Sequence, residues 1–294
     1  MPTSNESPRR PPRLRVRMSL QAALGLVLLA AAWLGWIAHG ARIQRDAVRD
    51  VERNGGGVLY DWQAAHRVAD VGGEPIFPRW LTDHLGVDVF SDAVYCASCS
   101  RQTVDAHLVP IGRLTRLRRL DLSGSGVTDA GLAALEGLQR LGYLELGGTD
   151  IGDAGLMHVG RLAALEELYL NGTKVGDAGL AHLKGLGELR TLYLGGTRVT
   201  DAGLAEMKGL PNLRALVLLR TRITEAGLLH LKSYPRLEWL VLGNLRIGDA
   251  GLAHLKNMRN LRHLAFDDEV VESGISPTAV EELRVALPKL KINY

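Results

Sequence analysis

Leucines stand at 117, 141, 165, 189, 213, 237 and 261, one every 24 residues with no insertion between them. Three positions after each comes a second, Leu120, Leu144, Leu168, Leu192, Leu216, Leu240 and Leu264. Two further on comes a third apolar residue, Leu122, Leu146, Leu170, Leu194, Leu218, Leu242 and Phe266. Each unit thus opens L-x-x-L-x-L, and the x-L-x-L alternation has the period of two of a strand with one buried face. Later in the unit the apolar spacing shifts to three, as in Leu180, Leu183 and Leu186, which predicts a helix. A strand and a helix in every unit predict a solenoid, because no unit can bury its apolar face alone.

Asp129, Asp153, Asp177, Asp201 and Asp249, with Glu225 in one unit, come directly before the helical run. A carboxylate there is expected to cap the first turn of its own helix and to complement the helix dipole. Its recurrence marks a structural role, since one active site would need one such residue. His158, His182, His230 and His254 form a second column. Repeat helices stack about 8 to 10 Å apart, too far for neighbouring imidazoles to share a tetrahedral metal, so this column reads as a solvated helix edge.

The form L-x-x-L-x-L-x-G-T-x-I-x-D-A-G-L recurs through Thr149 to Leu156, Thr173 to Leu180 and Thr197 to Leu204. It resembles the leucine-rich repeat, from about Val94 to the C-terminus, and in particular the ribonuclease-inhibitor-like group also found in the substrate-binding arms of F-box proteins. The whole chain resembles membrane-anchored bacterial proteins that carry a signal anchor, a GG-V-x-Y-D stem and then such repeats. The resemblance implies an α/β fold, a right-handed leucine-rich-repeat solenoid (horseshoe) preceded by a single transmembrane helix and a small α/β capping stem. Leu245 departs from the usual threonine, and the last unit is extended around Asp267 to Thr278 and ends as a C-terminal cap. The acidic run Asp267, Asp268 and Glu269 reads as a surface turn, since the spaced ligands of a calcium loop are missing.

Ahead of the repeats, Leu20 to Ala38 reads LQAALGLVLLAAAWLGWIA, with Gln21 its one strongly polar side chain. As a helix it spans close to 30 Å, the hydrocarbon thickness of a bilayer. It exceeds the roughly 7 to 15 apolar residues of a cleavable signal peptide. Arg9, Arg10, Arg13, Arg15 and Arg17 precede it, which places the N-terminus in the cytoplasm and everything after Gly40 outside, with Trp33 and Trp36 near the outer interface. Ile43, Ala47, Val48 and Val51 predict a short amphipathic helix over Arg42 to Asn54, stopped by Gly55, Gly56 and Gly57, with a strand beginning at Val58. Phe77 to Leu81 and His84 to Gly86 are expected to cover the open end of the solenoid. The expected division is a basic tail over 1–17, the anchor over 18–40, stem and cap over 41–93, and repeats over 94–294 with the C-terminal cap from about 267.

The chain is 294 residues long, 46% hydrophobic and 23% charged, which excludes wholesale disorder. Its net charge of +3 is owed to the arginine tail, which contributes +4 once Glu6 is counted and leaves −1 for the rest. A near-neutral body lacks the positive surplus that nucleic-acid binding requires, and no nucleic-acid partner is expected. Two cysteines cannot supply a disulfide framework. Cys96 and Cys99 form C-x-x-C, but Ser100 stands where haem attachment needs histidine. In repeat register Cys96 matches Leu120 and reads as a small core residue; a thiol or metal protein using the pair is the alternative. No cofactor, metal or catalytic signature is found, so no enzyme is expected.

What remains is the surface opposite the leucines. The third, fifth and seventh positions of each unit line the concave face, and there Tyr143, Tyr169, Tyr193, Val217, Leu219, Trp239 and Val241 lie close together. Glu145 and Glu167 stand at one end with Asp121. Exposed aromatic clusters of this kind mark binding surfaces. The sequence therefore predicts a non-catalytic module displayed outside the cytoplasmic membrane, binding a protein, a peptide or an envelope glycan; an F-box-like, ubiquitin-linked substrate adaptor is a further alternative.

Overall fold

A computed structural model describes residues 20–53, 55–60, 93–97, 102–207, 209–243, 245, 247–266 and 274–293. The segments Phe77 to Gly86 and Asp267 to Glu269 lie outside them, as does Cys99.

The period-two segments form β3 (Arg119–Asp121), β4 (Tyr143–Glu145), β5 (Glu167–Tyr169), β6 (Thr191–Tyr193), β7 (Ala215–Val217), β8 (Trp239–Val241) and β9 (His263–Ala265). They pair in parallel and in register, so that Leu120, Leu144, Leu168, Leu192, Leu216, Leu240 and Leu264 form one inward row with no exposure. The row extends at both ends. Cys96 of β2 (Ala93–Ala97) stands opposite Leu120 and is fully buried, and Ile292 of β10 (Lys291–Asn293) stands opposite Leu264. The C-x-x-C reading thereby loses an accessible first thiol.

Each of the strands β3 to β7 is followed by a tight turn. Gly124, Gly148, Gly172 and Gly196 take φ between 63 and 70° there, a region closed to most side chains, and Arg220 takes the equivalent place at φ 54°. The threonine next along is buried, and Thr149, Thr173 and Thr197 donate their hydroxyls to the carbonyls of Leu146, Leu170 and Leu194 at 2.6–2.7 Å.

The return helices are short, from four residues in Asp177–Leu180 to seven in Asp153–Val159 and Asp249–Leu255. Their aspartates do not act as the sequence suggests. Each is the first residue of its helix and accepts from the next repeat: Asp129 from the Gly152 N–H, Asp153 from Gly176, Asp177 from Thr200 and Asp201 from Thr224, all at 2.7–2.8 Å. Glu225 does the same for Gly248, and Asp249 for Ser276. Asp105, unremarked in the sequence, begins the series with Thr128. Where the receiving residue is Thr128, Thr200, Thr224 or Ser276, its hydroxyl donates to the second carboxylate oxygen. The carboxylates are therefore staples between repeats: each stands one residue past the N-cap position and spends its acceptor on the N–H of the next repeat.

Both ends of the array are covered. At the C-terminus, the helix Pro277–Ala286 is capped by Ser276, which accepts from the Ala279 N–H, and buries Leu283 against the last repeat. At the N-terminus, β1 (Gly57–Tyr60) pairs antiparallel with β2. It follows α1, a single 34-residue helix over Leu20–Arg53 in which the anchor and the amphipathic segment join without a break at Gly40. Its last turns bury Ala41, Ala47, Val48 and Val51, the last three within the solenoid core, while Ile43 stays on the outside at 37% exposure. Leu24, Leu26, Val27, Leu28, Leu29, Trp33 and Trp36 are exposed. From Leu24 onward the helix is long and apolar enough to cross a membrane.

Candidate functional site

The register of the strands decides which side chains meet on the concave face. Arg119, Tyr143 and Glu167 are successive rungs of one column, and Tyr169 and Tyr193 of the next. The Arg119 guanidinium lies 3.9 Å from the Tyr143 ring centre and 4.0 Å from Glu167. The Tyr143 ring lies 5.1 Å from that of Tyr169, and Tyr169 lies 4.6 Å from Tyr193, all tilted rather than parallel. The result is a staircase of three phenol rings crossing three repeats, with a cation over one end.

Carboxylates flank the staircase. The Tyr169 hydroxyl donates to Glu167 at 2.9 Å. Glu145 accepts the Gly147 N–H at 2.8 Å, and Asp121 accepts both the N–H and the hydroxyl of Ser123. Burial, followed by the negative charges of Glu145 and Asp121, pushes the Tyr143 phenol up to about 12. Burial and the Glu167 hydrogen bond raise that of Tyr169, and burial raises the carboxyl of Glu145 despite the Gly147 N–H. Tyr143 and Tyr169 are thus neutral donors at any physiological pH, set beside acceptors.

Further along, Trp239 is 42% exposed and stacks on His263 at 4.7 Å between ring centres. Between it and the staircase lie Val217, Leu219 and Val241. Val217 is a correction to the sequence reading: it is only 7% exposed, held in register between Tyr193 and Val241, and adds little contact area of its own. Leu219 and Val241 are half-buried. Leu219 also precedes Arg220, so the Gly195–Gly196 pair that turns the preceding repeat is replaced at the middle of this face by an apolar residue and a strained one.

The sequence reading missed Arg119 and His263, whose partners belong to other repeats; their places in the column of Tyr143 and Trp239 were the signal available. Among the described residues, no group of three or more His, Cys, Asp or Glu side chains could hold a metal ion. On the convex side His158 hydrogen-bonds Glu136 at 2.6 Å, and Arg161 pairs with the same carboxylate. These contacts hold Glu136 below the usual carboxylate range, the His158 bond first.

A family model described as a leucine-rich repeat matches residues 114–135, which hold β3, its turn and the helical segment that follows. The array is a leucine-rich repeat solenoid. Among solved structures the chain is similar to a leucine-rich repeat protein of Leptospira interrogans, at 22% identity over 63% of this chain and 50% of that one, with a TM-score of 0.44. It is also similar to an internalin C2 of Listeria monocytogenes, at 22% identity over 60% of this chain and 80% of that one, with a TM-score of 0.42. The chain thus spans half the length of the Leptospira protein. No curated protein matches it. Leucine-rich repeat folds commonly bind proteins.

Proposed function

We propose that the protein is a non-catalytic recognition module, held in the cytoplasmic membrane by the apolar half of α1, with the solenoid outside and a protein or peptide ligand taken up on the concave face. The observation that carries this reading is the continuity of Arg119, Tyr143, Tyr169 and Tyr193. Rings that contact one another and leave one flank open lose little entropy on binding, which is why interface energy concentrates in them. With Asp121, Glu145 and Glu167 beside them, the face suits a peptide that places a lysine or arginine next to an apolar or aromatic side chain.

The orientation rests on the five arginines of the tail. They outnumber Arg42, Arg45, Arg49 and Arg53 after the apolar run, which are interleaved with Asp46, Asp50 and Glu52. Panning a random peptide library against the full chain in detergent micelles tests the binding reading. Enrichment of basic-aromatic peptides that is lost in a Tyr143→Ala, Tyr169→Ala, Tyr193→Ala variant supports it, and equal enrichment by both proteins sinks it.

A further inference from the structure

The direction of α1 fixes which edge of the solenoid faces a bilayer. Because β1 is antiparallel to β2 and α1 enters β1 through the turn at Gly55 and Gly56, the C-terminal end of α1 lies at the edge where the repeat strands end. Its earlier turns lie at the opposite edge, where Trp33, Trp36 and Ile37 form a groove with Arg113, Leu114 and Arg116, residues that directly precede β3. The uncovered apolar turns before Trp33 therefore project beyond the edge at which the strands begin.

That edge is basic. Taking the loops that lead from each return segment into the next strand, from Arg113–Arg118 to Lys256–Arg262, the described residues include thirteen arginines and lysines against four glutamates. The loops on the other edge, from Ser123–Asp129 to Gly243–Asp249, include four against seven acidic residues. Several of the basic residues are spoken for: Arg161, Lys184, Arg190, Arg214 and Lys256 pair with carboxylates. Arg113, Arg118 and Arg140, nearest to α1, are exposed, and no carboxylate among the described residues pairs with them.

From this juxtaposition we infer that the strand-start edge of the solenoid is a lipid-binding surface, whose arginines contact the phosphates of anionic phospholipids in the leaflet from which α1 emerges. The inference rests on α1 crossing the membrane, as proposed above, but not on which side the solenoid lies. Strands stacked about 4.8 Å apart place the edge along the membrane plane when α1 stands upright, so many basic residues reach the headgroup layer together. Trp33 and Trp36, both exposed at this level, suit the interfacial zone. Held this way, the solenoid lies at a fixed height, with its strands upright and its concave face opening sideways.

The test uses the full chain in lipid nanodiscs, with Cys99→Ser to leave only the buried Cys96, and a dye on either Ala163→Cys at the basic edge or Ala154→Cys toward the other edge, both exposed positions. Energy transfer to an acceptor on the lipid headgroups reports the height of each edge. In discs containing phosphatidylglycerol, Ala163 should transfer more strongly than Ala154. That difference should shrink in phosphatidylcholine discs and in roughly 1 M salt, where screening length falls to about 3 Å. It should shrink likewise in the Arg113→Glu, Arg118→Glu, Arg140→Glu variant, but not in Arg198→Glu, Arg222→Glu on the other edge. The lipid and salt comparisons need no substitution at the edge, so a misfolded variant cannot hide the answer. Transfer from Ala163 that ignores phosphatidylglycerol and salt overturns the inference while leaving the anchor intact. A chain that alkaline extraction removes from vesicles overturns the anchor, and the inference with it.

Discussion

The Asp129 carboxylate and the Gly152 N–H are joined by a 2.7 Å hydrogen bond across 23 residues of chain. The pairing recurs along the array and explains the D-A-G-L motif as a unit. A Cβ on Gly155 would lie 2.5 Å from the same carboxylate, and on Gly203 it would lie 2.4 Å from that of Asp177. The glycine is the space into which the preceding repeat's staple fits.

Asp177→Ala should therefore destabilise by about 1 to 3 kcal/mol, the cost of leaving the Thr200 N–H and hydroxyl without their charged acceptor. Gly203→Ala should destabilise by driving that carboxylate out of place, and the two substitutions together should cost clearly less than their sum. Additive denaturant midpoints in the double-mutant cycle would refute the shared-space account.

Leu192→Ala opens a cavity in the middle of the inward row, at a side chain with no exposure, and should cost about 2 to 5 kcal/mol. The same measurement on the exposed Leu229, on the convex face, should give a small effect. Equal losses at the two positions would contradict the packing described.

On the concave face, Tyr169→Ala, Tyr193→Ala, Trp239→Ala removes ring contacts that each contribute about 0.5 to 1.5 kcal/mol, so the thermal midpoint should fall modestly and the chain should stay folded. Affinity for a panned peptide should fall far more, by about 30-fold or greater if one hot spot of about 2 kcal/mol is lost. His182→Ala, His254→Ala, on the helix side, should bind as wild type; His158 is a poorer control because it holds Glu136. Binding lost in the histidine variant and kept in the aromatic one would move the site to the helical edge.

Titration gives two signed expectations. The Tyr143 phenol ionises near 12 in the folded chain and near 10 when unfolded. Between those values the unfolded state releases its proton first, so stability is intact below pH 10 and declines as pH rises toward 12. Ultraviolet difference spectra in which every tyrosine of the folded protein ionised together near pH 10 would count against the buried staircase. Glu136 behaves oppositely, being held below its ordinary 4.5. Its contribution is present above that value and lost as pH falls through the lower folded one, and Glu136→Gln should flatten that part of the acid limb.

A reporter fused after Tyr294 should be active only if it works outside the cytoplasm. Replacing Arg9, Arg10, Arg13, Arg15 and Arg17 with glutamate should scramble that orientation. A cytoplasmic reporter in the wild type would overturn the exported arrangement.

The 24-residue spacing of leucines was enough to establish strand, turn, helix and the inward row, because periodicity records which side chains each unit must hide from water. It also located the concave columns, and with them the tyrosines. It misread the aspartates, since an acidic residue at a helix start looks the same whether it bonds its own first turn or the neighbouring repeat; only the folded array shows which N–H it meets. It could not show that Val217 is covered by its neighbours, that Arg119 lies over Tyr143, or that Trp239 pairs with His263, for each depends on side chains from other repeats meeting at a particular angle. Nor could it join the apolar segment to the amphipathic one as a single helix, which took the packing of Ala47, Val48 and Val51 against the first repeat to make plain. Local periodicity fixes what each unit does with its own apolar face, whereas contacts between units are set by how the units stack, and that geometry exists only in the folded array.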